Sequence, residues 1–97
     1  MRRVLLERRI RDVHARLVRT REELAVLNEQ LEVVLESADE ARVRALVSET
    51  PLATQEHSEA TRHADAMVKA RDALLKTVTE LERRQDELLA AVATGKQ

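Results

Sequence analysis

The stretch LLERRIRDVHARLVRTREELAVLNEQLEVV, residues 5–34, decides the fold. Its apolar positions Leu6, Ile10, Val13, Leu17, Leu24, Leu27, Leu31 and Val34, with Thr20 in the same series, are separated alternately by four and three residues. That beat keeps one stripe of a helix facing a partner helix, which is the coiled-coil pattern. The partner lies in the same chain. Ala60, Ala64, Met67, Arg71, Leu74, Val78, Leu81, Gln85, Leu88 and Val92 repeat the beat further on. One interruption between the two runs predicts an all-α fold: a long antiparallel two-helix coiled-coil hairpin.

Between the runs, Ser37-Ala38-Asp39-Glu40 has the form of a capping box, in which a Ser hydroxyl accepts from the Glu amide while the Glu side chain returns to the Ser N–H. It predicts that a first helix over about 3–36 ends there and that a short third helix, about 38–47, sits at the tip. Thr50-Pro51 then reads as an N-cap followed by the first helical residue, where the missing N–H of proline costs nothing. A last helix is predicted over about 51–93, with Gly95 as its stop. At about 1.5 Å per residue, the long helices would measure roughly 50 and 60 Å. Folding about this break sets Leu6 near Leu88, Val13 near Leu81, Leu17 near Val78, Leu27 near Met67 and Val34 near Ala60.

Composition agrees with a helical chain. The 97 residues contain no aromatic side chain, one Gly and one Pro, with 36% charged residues, so neither a conventional globular core nor a β-sheet is expected. The absence of cysteine rules out disulfides and thiolate metal sites and fits a reducing, cytoplasmic setting. No apolar run is long enough for a membrane helix or a signal-peptide core. Beside the seam lie Val4, Leu5, Val18, Val26, Val33 and Leu35 on the first helix, and Val68, Leu75 and Leu89 on the last. These widen the apolar stripe beyond what two strands use, toward the face of a bundle helix. The expectation is a homodimer forming a four-helix bundle.

Charge is distributed unevenly. Residues 1–21 hold eight arginines against Glu7 and Asp12, whereas residues 22–65 hold eleven acids against Arg42, Arg44 and Arg62. Arg2, Arg3, Arg8, Arg9, Arg16 and Arg19 therefore form a candidate basic interaction end, and Asp39, Glu40 and Glu49 a candidate acidic tip. Arg2, Arg9 and Arg16 recur every seventh residue along one flank. Such a flank suits phosphates or an acidic protein surface; its bland counterpart is a solvated flank neutralised by Glu80, Glu82, Asp86 and Glu87 of the returning helix. Without aromatic residues to stack bases, nucleic acid ranks below protein as the partner.

Chemistry finds little support. Thr20, Arg71 and Gln85 interrupt the seam and read as residues that set register or oligomeric state, with Glu23 a candidate partner for Arg71. His14, His57 and His63 read as solvated; Glu59 and His63 stand four apart but match no metal-site pattern, and no metal or cofactor is expected. Ser37, Ser48 and Ser58 lack a nucleophile elbow, and the sole Gly is near the C-terminus. No small-molecule ligand is expected, since a long hairpin offers no concave pocket. The sequence thus predicts a non-enzymatic protein–protein interaction module, scaffold or adaptor, binding itself and a further protein and no membrane. The alternative is a regulator of the transcription or nucleic-acid machinery. In layout alone, the acidic tip resembles bacterial transcription factors that insert an acidic-tipped coiled coil into the secondary channel of RNA polymerase, and no residue is carried over from them.

Overall fold

A computed structural model of the chain describes residues 2–95. It is all-α among those residues, a helical hairpin of α1 (Arg2–Ser48) and α2 (Pro51–Ala93) joined by Glu49 and Thr50. Neither helix contains an internal glycine, and proline occurs only at the first position of α2, so nothing in either interior interrupts the i to i−4 ladder.

Helix α1 passes through Ser37 without a break, and there is no separate helix over 38–47. This corrects the expectation of a first helix ending near residue 36. The cause lies in the small residues. Ala38, Ala41 and Ala45 prolong the four-three beat of Leu31 and Val34, and Ala41 is buried while Ala38 and Ala45 are half-buried. A break at Ser37 would release up to four carbonyls and four N–H groups from the ladder, whereas an interior Ser costs only about 0.5 kcal/mol in helix propensity. The stripe of α2 likewise begins earlier than expected, with Ala53 buried and His57 half-buried ahead of Ala60. His57 is therefore a seam residue rather than a solvated one.

The link is short because both of its ends are capped. Glu49 adopts a left-handed conformation, φ 50°, and its N–H donates to the Ala45 carbonyl at 3.1 Å, which closes α1 with an αL cap. Thr50 then starts α2: its hydroxyl accepts from the Ala53 N–H at 3.1 Å, and its carbonyl accepts from the Thr54 N–H at 3.1 Å. Gly95, with φ 69°, follows the end of α2 and donates to the Val92 carbonyl at 3.1 Å. The Thr50-Pro51 start and the Gly95 stop thus stand where the sequence puts them.

The chain packs as two compact units. Unit 1 comprises Met1–Leu24 with Ala73–Gln97, and unit 2 comprises Ala25–Asp72. In unit 1 the core is Val13, Leu17 and Leu81, with Val78 and Leu88 packed against it. In unit 2 the buried side chains are Leu31, Ala41, Ala53 and Ala64, three of them on the smallest apolar residue. Every expected seam position of both helices is buried or half-buried, so the stripe itself was read correctly.

The register differs from the expected one by about one turn. His14 lies 3.5 Å from Gln85, where the expected pairing would set it beside Glu80 or Leu81. Counting outward from a link at Glu49–Thr50 along two unbroken helices leads to the same offset. A heptad stripe cannot resolve this slip, because moving one helix by three or four residues brings the next seam residue into place.

Candidate interaction surfaces

Unit 1 carries the basic residues. Over its sequence range it holds twelve Lys and Arg against eight Asp and Glu, a balance of plus four. Of the expected basic end, Arg3 is tied to Glu7 at 3.3 Å one turn along, and Arg2 is exposed on the same helix with a partner of its own. The side chains of Arg8, Arg9, Arg16 and Arg19, and of Arg11 among them, are exposed and make no ion pair or hydrogen bond among the described residues.

The expected neutralisation by the returning helix is mostly absent. Of the four acids Glu80, Glu82, Asp86 and Glu87, Glu82 alone is paired across the helices among the described residues, to Arg21 at 2.9 Å. Glu80 and Glu87 are both held by Arg83 on α2 itself, three and four residues away. The Arg83 hydrogen bonds draw the Glu80 carboxyl below its ordinary value, with desolvation opposing them, and the two carboxylates push the guanidinium above its own. Sequence spacing shows this competitor plainly, since intrahelical pairs at three and four residues form more readily than pairs between helices.

Shallow grooves open among the described residues of unit 1. One, of about 350 Å³, is lined by Arg16, Lys76, Thr77, Glu80, Leu81 and Arg84. Another, of about 330 Å³, is lined by Arg16, Arg19, Thr20, Glu23, Leu74 and Thr77. Arg16 borders both, and Lys76 and Arg84 add cations from α2 that the sequence reading did not single out. Their signal was positional: Lys76 and Arg84 stand four residues to either side of Glu80 on one face of α2.

Unit 2 carries the acids, ten against five Lys and Arg, a balance of minus five. Within the expected acidic tip, Asp39 accepts from Arg42 at 3.0 Å, while Glu40 and Glu49 are exposed and without a side-chain partner among the described residues. Glu59 accepts from Gln55 at 3.1 Å and His63 is exposed. Among the described residues, no group of three or more His, Asp or Glu is placed to hold a metal ion.

The three polar seam residues behave differently. Thr20 donates its hydroxyl to the Arg16 carbonyl of its own helix at 2.8 Å, so it sits in the seam with its polar group satisfied locally. Arg71 pairs with the adjacent Asp72 at 3.2 Å, and not with Glu23, leaving its stem along the seam with the head at the surface. Gln85 alone makes a polar contact across the helices, to His14.

Apolar exposure is the other notable property. Unit 1 exposes Val4, Leu5, Val18, Leu75 and Leu89, and unit 2 exposes Val26, Val33, Leu35, Val43, Leu46, Val47 and Leu52. All but one of the off-seam residues singled out from sequence are in these groups; Val68 is half-buried. No described helix is long and apolar enough to cross a membrane. No protein-family model matches the chain, and neither a curated protein nor a solved structure matches it.

Proposed function

We propose that this protein is a non-enzymatic coiled-coil interaction module of the cytoplasm, a scaffold or adaptor that works as a homodimer in which two hairpins form a four-helix bundle. One observation carries the reading: seven apolar side chains are buried among the described residues, whereas twelve large ones are exposed. Ordering the backbone costs about 1–2 kcal/mol per residue, and each large apolar side chain fully buried returns about 1.5–3 kcal/mol. A second copy covering Val18, Leu75 and Leu89 in unit 1, and Val33, Leu35 and Leu46 in unit 2, enlarges a core in which three of the seven buried side chains are alanines. The polar seam residues Thr20, Arg71 and Gln85 then limit how the helices can slide, because a shifted helix would bury them among leucines.

Sedimentation equilibrium on the full chain tests this. The reading expects a mass twice the 11.0 kDa of one chain at micromolar concentration. A monomer throughout the micromolar range would overturn it.

A second reading, regulation of the transcription or nucleic-acid machinery through the basic first helix or the acidic tip, draws its support from the side chains of Arg8, Arg9, Arg11, Arg16 and Arg19, which are unpaired among the described residues. It ranks second because unit 2 would repel phosphates. Its test is a salt titration of duplex DNA and RNA binding, in which the logarithm of affinity must fall linearly and steeply with the logarithm of salt concentration.

A further inference from the structure

We infer that the homodimer forms through one face of unit 1, on which α1 of each copy lies over α2 of the other about a twofold axis parallel to these helices, and that the grooved face of unit 1 stays open. The inference rests on the homodimer proposed above and adds the surface that joins the copies.

Each helix of unit 1 carries a second stripe beside its seam. On α1 the stripe is Val4, Glu7, Arg11, His14, Val18 and Arg21; on α2 it is Leu75, Thr79, Glu82, Asp86 and Leu89. Both advance by alternate steps of three and four residues, and all of these side chains are exposed. Two contacts place the stripes on the same side of the unit: Arg21 reaches Glu82 at 2.9 Å, and His14 lies 3.5 Å from Gln85. No stripe residue lines either of the grooves described above, whose walls include Arg16, Thr20 and Glu23 of α1 and Thr77, Glu80 and Arg84 of α2. Unit 1 therefore has two distinct faces.

The striped face holds Val4, Val18, Leu75 and Leu89, four of the five large apolar side chains exposed among the described residues of unit 1. Its charges are sorted by helix. The α1 stripe has Arg11 and Arg21 against Glu7, which is tied to Arg3, whereas the α2 stripe has Glu82 and Asp86 and no Lys or Arg. A twofold axis parallel to the helices sets the basic stripe of one copy over the acidic stripe of the other, and does so twice. The His14–Gln85 contact gives the level of the pairing: Arg11 stands within about two residues of Asp86, roughly 3 Å along the axis, so Arg11 of one copy meets Asp86 of the other. An axis across the helices would lay α1 on α1 and α2 on α2, like against like. The grooved face offers no such match. Arg16, Arg19, Lys76 and Arg84 come from both helices there and make no ion pair or hydrogen bond among the described residues, so a second copy of that face would set cations against cations.

Sedimentation equilibrium of the full chain and of two double variants identifies the face. Leu75→Glu with Leu89→Glu alters exposed positions and leaves the seam intact; it should raise the dimer dissociation constant at least about tenfold. Arg16→Glu with Arg84→Glu, on the grooved face, should raise it by no more than about twofold. An unchanged constant in the first variant, or an equal rise in the second, would overturn the choice of face while leaving the dimer standing. A monomeric unmodified chain would remove the dimer reading and this inference together. Because the chain has no cysteine, Val18→Cys and Thr79→Cys report the arrangement of the helices even where the charged variant fails to fold. Refolded as an equimolar mixture and oxidised, the two should form the mixed disulfide about fivefold over either self-disulfide, since only Val18 facing Thr79 of the other copy comes near the Cβ separation of about 3.5–4.5 Å. Predominant self-linking, or a dimer that does not link, would overturn the arrangement. Charge exchange gives an independent readout: Arg11→Glu should weaken association about fivefold, and Asp86→Arg in the same chain should restore it.

Discussion

Leu17 is the most deeply buried side chain among the described residues, and with Val13 and Leu81 it makes the buried core of the described part of unit 1. A core of three residues has little capacity to collapse around a lost side chain, so Leu17→Ala should cost about 3 kcal/mol, read as a lower urea midpoint at an unchanged slope. The same change at the exposed Val33 should be within about 0.5 kcal/mol in an isolated hairpin and larger in a dimer that covers it. Glu80 offers a different test at this scale. Its carboxyl is drawn down chiefly by hydrogen bonds from Arg83. A group with a depressed native pKa stabilises the fold above its unfolded value of about 4.3, and that contribution disappears as pH falls through the native pKa. Replacing Arg83 with Met should therefore raise the Glu80 titration midpoint, followed by carboxyl carbon NMR, toward the unperturbed value. An unchanged midpoint would mean that the Arg83 clamp does not form in solution. That Arg8, Arg9, Arg11, Arg16 and Arg19 make no side-chain pair among the described residues depends on that clamp, since Glu80 and Glu87 are otherwise at liberty to reach across.

For the helices, the sequence made legible which side chains face the seam and where α2 starts, but not where α1 ends. Leucines and valines announce a stripe, and residues 5–34 are full of them. Ala38, Ala41, Ala45 and Ala53 carry the same beat with little apolar area, so their periodicity is weak beside the capping-box signature at Ser37. The signature is real as a pattern and unused as a cap. Ser37→Ala distinguishes the two states by sign: inside a continuous helix it should stabilise by about 0.3–0.5 kcal/mol, and at an N-cap it would destabilise by about 1 kcal/mol. Thermal melts of the two proteins side by side read this difference, and slow amide exchange through Ser37–Glu40 should accompany the first outcome. Register was illegible for a different reason. A stripe with alternating steps is nearly superimposable on itself after half a heptad, and what breaks the tie is the length of the link, which the αL cap at Glu49 and the N-cap at Thr50 reduce to two residues. The basic and acidic candidates were plain in sequence as compositions, yet which arginines remain unpaired followed only from the intrahelical hold of Arg83 on Glu80 and Glu87.

At the scale of the molecule, the protein has two units of opposite charge and more exposed than buried large apolar side chains. These properties make it a chain whose stability is expected to depend on a partner. If the homodimer supplies much of the buried surface, folding and association are linked, and the melting temperature becomes a function of protein concentration. High salt should weaken such a dimer by screening opposite charges across its interface, and strengthen it if only apolar contacts hold it. The most direct measurement is thermal unfolding of the full chain by circular dichroism at fixed salt over a hundredfold range of concentration. A homodimeric bundle predicts a melting temperature that climbs steadily with concentration; a single value across the whole range, in a protein that remains monomeric, would contradict it.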